Sequence, residues 1–300
     1  MRTIAVTGAT GVIGRGVVDV LCSNAEVQIT AATRHPGGQD GRSDRVRFVG
    51  FDWESPDGLD DVVGGSDALL VIPPSGRHPL PTTAGLLERA AGADVGHVVF
   101  LSTLGADFDP GFTFGRWDLA GEQAVVSAGV PWTVLRPNSY MSNFFGMLRP
   151  RADGALRLPW GAGRCSFVDP HDVAEVAAAV LLGPDGHAGA TYELTGPEAL
   201  DLDTVASVLR EVSGAPIHYV DTPLAEVGAR LQGAGLPPQA VTALLELHAV
   251  MASDARSRVT DHVRRITGHA PRSLPEFAAE HAHAWAASSP AGAGEPVPAG

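Results

Sequence analysis

Residues Val6 to Gly14 read VTGATGVIG, with glycines at 8, 11 and 14 directly after the apolar, β-branched run Thr3–Val6. Val12, Ile13, Gly16, Val17, Val20 and Leu21 follow at helical spacing, so strand, turn and helix arrive in order. That order constrains the chain more than any other feature. A helix that opens straight out of a glycine turn aims free N–H groups and its positive end at whatever lies over the turn, which favours a pyrophosphate. The spacing is GxxGxxG rather than the GxGxxG of the most familiar dinucleotide fingerprint. The competing reading is a plain corner, for which glycine is the default residue.

The rhythm continues downstream. Strand-type segments at Thr3–Val6, Val27–Thr33, Val46–Phe51, Ala68–Ile72, His97–Leu101 and Trp132–Leu135 alternate with helical patterns at Ile13–Leu21, Leu59–Val63, Thr82–Ala91 and Gly115–Ser127. Such alternation predicts an α/β, Rossmann-type doubly wound parallel sheet. Beyond Pro137 the pattern loosens into Pro/Gly-rich loops, a helix at Val173–Leu182, strands near Thr191–Leu194 and Ile217–Val220, and several helices between Thr204 and Ala286. The expected layout is a dinucleotide-binding core over 1–138, joined by about 166–195, with a smaller mixed α+β substrate lobe over 139–287. The Pro/Gly/Ala-rich residues 288–300 read as a disordered tail.

Composition narrows the partners. A net charge of −13 over 300 residues leaves no basic stripe to replace counterions on nucleic acid. No apolar run has the length of a membrane span, and Met1 and Arg2 lead straight into the first strand, without a signal peptide. A small-molecule ligand, a cytoplasmic location and a monomer or homodimer are the resulting expectations. Cys22 and Cys165 form no CxxC pair, and the eleven histidines include no HExxH, so no metal is expected. All 21 basic residues are arginine. The absence of lysine removes Schiff-base chemistry and a Walker-type phosphate loop.

Ligands of open α/β sheets lie beyond the carboxyl ends of the strands. Those ends carry Thr7, Thr33 with Arg34, Asp52 with Trp53, Pro73 with Pro74, Ser102 with Thr103, and Pro137 with Asn138. About 20 residues past the glycines, an NAD site presents an acid to the ribose and an NADP site an arginine to the 2′-phosphate. Here the segment reads TAATRHP. Arg34, with His35 as a second donor, predicts NADP(H) in preference to NAD(H). Asp52 and Trp53 are expected beside the adenine.

Together VTGATGVIG, ATRHP, FLSTLGA, TVLRPNSYMSNF, GRCSFVDPHDVAEVAAAVLL and YELTGPEAL resemble the atypical short-chain dehydrogenase/reductases of the NmrA-like type. This group includes NADPH-dependent quinone reductases, isoflavone-type reductases and a redox-sensing regulator. The resemblance makes Gly8, Thr10, Gly11, Val12, Ile13 and Gly14 the pyrophosphate turn and Arg34 the phosphate reader. It implies Ile72, Pro73 and Pro74 along the middle of the groove, Ser102, Thr103, Pro137 and Asn138 near the nicotinamide, and Tyr140 and Phe144 facing substrate.

Typical members of the wider family use a Tyr-x-x-x-Lys dyad, whose lysine lowers the tyrosine pKa. Aligning Glu122 with the glutamate that follows that dyad puts Phe114 and Asp118 at the two positions. The lysine is missing in any register, and no tyrosine precedes Tyr140. Reduction of an unactivated carbonyl is therefore disfavoured. A quinone or conjugated enone demands less of an acid, because its hydride adduct is a delocalised phenolate or enolate. The sequence accordingly points to NADPH-dependent reduction of a quinone, enone or related electrophile, with Tyr140 as proton donor, Ser102 as orienting hydroxyl and Asp118 as proton relay. The alternatives are an NADP-binding sensor acting through a protein partner, or a redox-neutral cyclase or isomerase. Asp169-Pro170-His171-Asp172 reads as a helix start rather than a catalytic cluster. Leu244, Leu247, His248 and Met251 repeat at helical spacing, as core or as a roof over the pocket.

Overall fold

A computed structural model describes residues 1–37, 43–55, 57–74, 79–108 and 111–285; the expected tail at 288–300 lies outside them. The first half runs β1 (Arg2–Val6), α1 (Val12–Cys22), β2 (Val27–Thr33), β3 (Val46–Gly50), α2 (Leu59–Val63), β4 (Ala68–Val71), α3 (Leu80–Gly92), β5 (His97–Leu101), α4 (Thr113–Ser127) and β6 (Trp132–Pro137). A 3-10 turn at Met141–Phe145 leads to β7 (Ala155–Leu158), α5 (Pro170–Leu182), β8 (Ala190–Leu194), α6 (Leu202–Ser213), β9 (His218–Asp221), α7 (Leu224–Gly233), α8 (Pro238–Ala252), α9 (His262–Thr267) and α10 (Leu274–Glu280).

Seven strands form one sheet in the order β3-β2-β1-β4-β5-β6-β8, with every pairing parallel. Alternate residues of the inner strands feed opposite cores, which is why these strands read as unbroken apolar runs. Ile4, Val6, Leu70, Val99 and Leu101 pack with α1 and α5. Ala5, Leu69, Val71, Val98 and Phe100 pack with α2, α3 and α4 on the other face. A third cluster, including Met141, Phe144, Trp160, Phe167, Leu209 and Phe277, fills the lobe beside the two-stranded β7–β9 pair.

Element boundaries moved where local chemistry outweighed periodicity. α5 begins at Pro170 rather than at the first apolar residue, Val173, because Asp169 caps it by accepting from His171 N at 2.8 Å and proline is tolerated in a first turn. β6 runs on to Pro137 because β8 pairs with it as far as Leu194.

One buried ion pair fixes α4 to the sheet. Arg136 of β6 donates Nε and Nη2 to the two carboxylate oxygens of Glu122 on α4, at 2.8 and 2.7 Å, and Nη1 to Asp107 at 2.6 Å. Ser102 also donates to Glu122. The N-terminus of α4 has no cap of its own; Glu246 of α8 supplies one, accepting from Thr113 N at 2.6 Å and Thr113 Oγ1 at 2.7 Å. Removing one member of a buried pair strands the other charge. Arg136→Met is therefore expected to lower unfolding free energy by about 3–5 kcal/mol in urea titrations, with the double variant Glu122→Leu/Arg136→Met recovering most of the loss.

Candidate active site

The glycine turn expected to cradle a cofactor follows from steric limits on its glycines. Gly8 has φ +61, a conformation that side chains resist. A Cβ on Gly14 would stand 2.2 Å from the Gly8 carbonyl oxygen, a backbone atom that cannot yield. Gly11 is the N-cap of α1 and offers no side-chain cap, so the first-turn N–H groups of Val12 and Ile13 face outward without intrahelical partners. Thr10 lies across from Thr33, with their hydroxyl oxygens 3.4 Å apart. Directly before the turn, fully buried Thr7 donates Oγ1 to the Leu70 carbonyl at 3.2 Å and accepts from Ile72 N at 2.7 Å. It ties β1 to β4 under the cradle. Its clue in the sequence was only its place ahead of Gly8.

A closed backbone cradle with unpaired donors fits a pyrophosphate. Along the groove, Arg34 follows β2 and is exposed, beside exposed His35. Half-buried Asp52 accepts from Glu54 N at 3.0 Å. Trp53 packs edge-on to Phe51, with centroids 4.9 Å apart. Ile72, Pro73 and Pro74 follow, each partly exposed.

At the far end of the groove the structure reorders the expectations. Ser102 is buried and gives its proton to Glu122, so its hydroxyl cannot also donate to a substrate in this arrangement. Asn138 is spent internally: Nδ2 donates to Ser166 Oγ at 2.8 Å and to the Arg256 carbonyl at 2.9 Å, while Oδ1 accepts from Ser139 N at 2.9 Å. Pro137 is enclosed beside it. Phe144, expected to face substrate, is fully buried against Phe167 in the lobe core, because a 3-10 turn directs it inward. Tyr140 is half-buried; burial and the charge of Asp118 push its phenol upward, so it holds its proton rather than releasing it.

Asp118 takes the leading place. Phe114, Asp118 and Glu122 stand four residues apart on α4 and share a face. Asp118 lines a narrow cleft with Pro73, Pro79, Leu80 and Trp117. Burial, followed by repulsion from Glu122, pushes its carboxyl up to about 7, against the opposing pull of Arg256. Glu122 is held by Arg136 in a direct ion pair, whereas Asp118 feels Arg256 only through space, so the field of the two acids falls on Asp118.

Arg256, in the loop after α8, was not anticipated, and nothing in its local sequence announces it. It is 3% exposed, donates Nη2 to Thr103 Oγ1 at 3.3 Å, and stacks its guanidinium 5.3 Å from the Phe112 ring centroid. Of the residues proposed as a roof, His248 and Met251 are buried. His248 accepts from Trp160 Nε1 at 2.9 Å, and burial drops its imidazole to about 4.

A family model described as NAD(P)H-binding matches residues 8–184. The chain is 32% identical to an NAD(P)H azoreductase of Xenophilus azovorans, over 95% of this chain and 100% of the relative. It is 33% identical to a (4-alkanoyl-5-oxo-2,5-dihydrofuran-3-yl)methyl phosphate reductase of Streptomyces griseus, over 94% of this chain and 99% of the relative. Among solved structures, an Escherichia coli NADPH-dependent quinone oxidoreductase in complex with NADPH superposes with a TM-score of 0.82 at 26% identity, covering 93% of this chain and 99% of that one. The chain belongs to the NAD(P)H-binding family, as an atypical short-chain dehydrogenase/reductase of the kind its motifs resemble. Among the described residues, no helix is long and apolar enough to cross a membrane.

The cradle carries a direct test. Gly14→Ala forces a Cβ against the Gly8 carbonyl, and is expected to weaken NADPH binding by more than about tenfold in calorimetric titration.

Proposed function

We propose that this protein is an NADPH-dependent reductase of conjugated electrophiles, a quinone or enone being the preferred acceptor, with Asp118 as the proton donor. The carrying observation is Asp118 itself, a carboxyl poised near 7 in the cleft beside Pro73, on the helix face where the resembling family keeps its dyad. An acid of this strength is half protonated at neutral pH, which suits general acid catalysis. The names of the relatives, which describe reduction of azo, quinone and butenolide-type substrates, support an acceptor of this class.

NADPH, when bound, supplies the hydride. The chain's own residues do the rest. The N–H groups at Val12 and Ile13 would hold the pyrophosphate, and Arg34 would pair with the 2′-phosphate. Glu122, paired with Arg136, keeps α4 and hence Asp118 in place. Asp118 then donates its proton to the reduced acceptor and regains one from water. Tyr140, its proton firmly held, supports the acceptor as a hydroxyl donor.

Arg34→Ala is expected to raise the Kd for NADPH by about tenfold while leaving that for NADH nearly unchanged, since one charge-assisted phosphate contact is lost. Because Asp118 must be protonated to act, quinone reduction is expected to fall as pH rises through about 7. In Asp118→Asn the rate drops on the order of 10²-fold and that pH dependence disappears. An unchanged pH profile in the variant would rule Asp118 out as the acid.

A further inference from the structure

Two arginines are buried near the carboxyl ends of β5 and β6, and they differ in one respect. Arg136, 9% exposed, spends its fork on Glu122 and Asp107. This is how a structural buried arginine is satisfied. Arg256, 3% exposed, makes one long side-chain bond, to Thr103, and its buried Nε has no hydrogen-bond partner. The loop needs Arg256 chiefly for its backbone, whose carbonyl accepts from Ser166 N at 3.1 Å and from Asn138 Nδ2 at 2.9 Å. The guanidinium therefore keeps hydrogen-bonding capacity that the fold does not use, and leaving a buried donor unpaired is costly.

Its surroundings say what it would bind. Phe112 covers one face, Thr103 holds one edge, and Asp118 acts on it from α4 as an opposite charge. Cys165 is close, but burial keeps it a thiol. A fixed positive group, incompletely balanced and set in low dielectric beside the proposed proton donor, favours an oxygen that becomes negative during reaction.

We propose that Arg256 binds the acceptor oxygen onto which charge moves, and so restricts efficient reduction to acceptors whose hydride adduct is an oxyanion. The assignment rests on the reductase reading above. In the reaction, hydride from NADPH brings an electron pair into the conjugated system, and the displaced π pair comes to rest on the carbonyl oxygen. Arg256 holds that oxygen until the proton of Asp118 neutralises it. The products are NADP⁺ and the reduced, neutral acceptor. A cationic triarylmethane dye makes the opposite demand: hydride cancels its positive charge, no oxyanion forms, and the guanidinium repels it.

The test compares wild type, Arg256→Met and Arg256→Lys on 1,4-naphthoquinone and on a cationic triarylmethane dye, with NADPH affinity and melting temperature measured alongside. Calorimetry of 4-hydroxybenzoate, a stable phenol-carboxylate anion, supplies a readout that needs no turnover. The expected result is a loss of about 10²-fold in kcat on the quinone for Arg256→Met, a lower KM for the dye, loss of 4-hydroxybenzoate binding, and unchanged NADPH affinity. Arg256→Lys, which keeps the charge, recovers part of the quinone activity. Equal losses on quinone and dye, or anion binding that survives Arg256→Met, would overturn the assignment. If Arg256→Met does not fold, the lysine variant decides: because it keeps the charge, it must keep both anion binding and selectivity against the dye, and failure of either refutes the role. If wild type reduces neither acceptor but binds the anion through Arg256, the reductase reading falls and the anion site stands.

Discussion

Much of the site depends on the buried pair of Glu122 and Arg136. An ion pair of this kind repays its desolvation only with near-ideal geometry and satisfied lone pairs, and here both carboxylate oxygens meet the guanidinium fork while Ser102 adds a third donor. The consequences reach outward. The pair sets α4 against β6, α4 carries Asp118 one turn before Glu122, and repulsion from Glu122 reinforces burial in raising the Asp118 carboxyl. The hydroxyl of Ser102, which lies where a substrate contact was expected, is absorbed into holding the pair.

In a dyad enzyme, a lysine lowers a tyrosine toward neutrality; here burial and, after it, a neighbouring carboxylate raise an aspartate toward it. Both routes arrive at an acid matched to neutral pH. The second requires no lysine, and this chain has none. It leaves a cost elsewhere, since a partly neutral Asp118 compensates Arg256 incompletely. That shortfall leaves Arg256 a buried cation with an unpartnered Nε, which Arg136 is not.

The lobe is coupled to this arrangement through α8. Glu246 closes the N-terminus of α4, and the loop after α8 delivers Arg256 to Thr103. Residues far apart in sequence thus set the position of one helix and the charge over its face. The histidine and acids at the start of α5 stand outside this network. His171, Asp172 and Glu175 bring ligand-type atoms within 4.8 Å of one another there, but Asp172 already accepts from Arg272 N at 2.8 Å and Asp169 caps the helix, as a helix start requires.

The doubly wound sheet and the glycine turn were legible in the chain because their signals are local: two-sided burial shows as apolar runs, Gly8 answers to its own left-handed backbone, and Gly14 answers to the turn backbone six residues before it. The absence of lysine was equally plain, since a residue type that is absent cannot be supplied by folding. The fate of polar and aromatic side chains was not legible. Ser102, Asn138 and Phe144 have the residue types and places of site residues, yet each is enclosed by partners 20 to more than a hundred positions away. The sequence determined the scaffold, the glycine turn and the missing lysine; only tertiary packing decided that Asp118 would be the raised carboxyl in the cleft and Arg256 the unsatisfied cation, because burial and the field of distant charges set both.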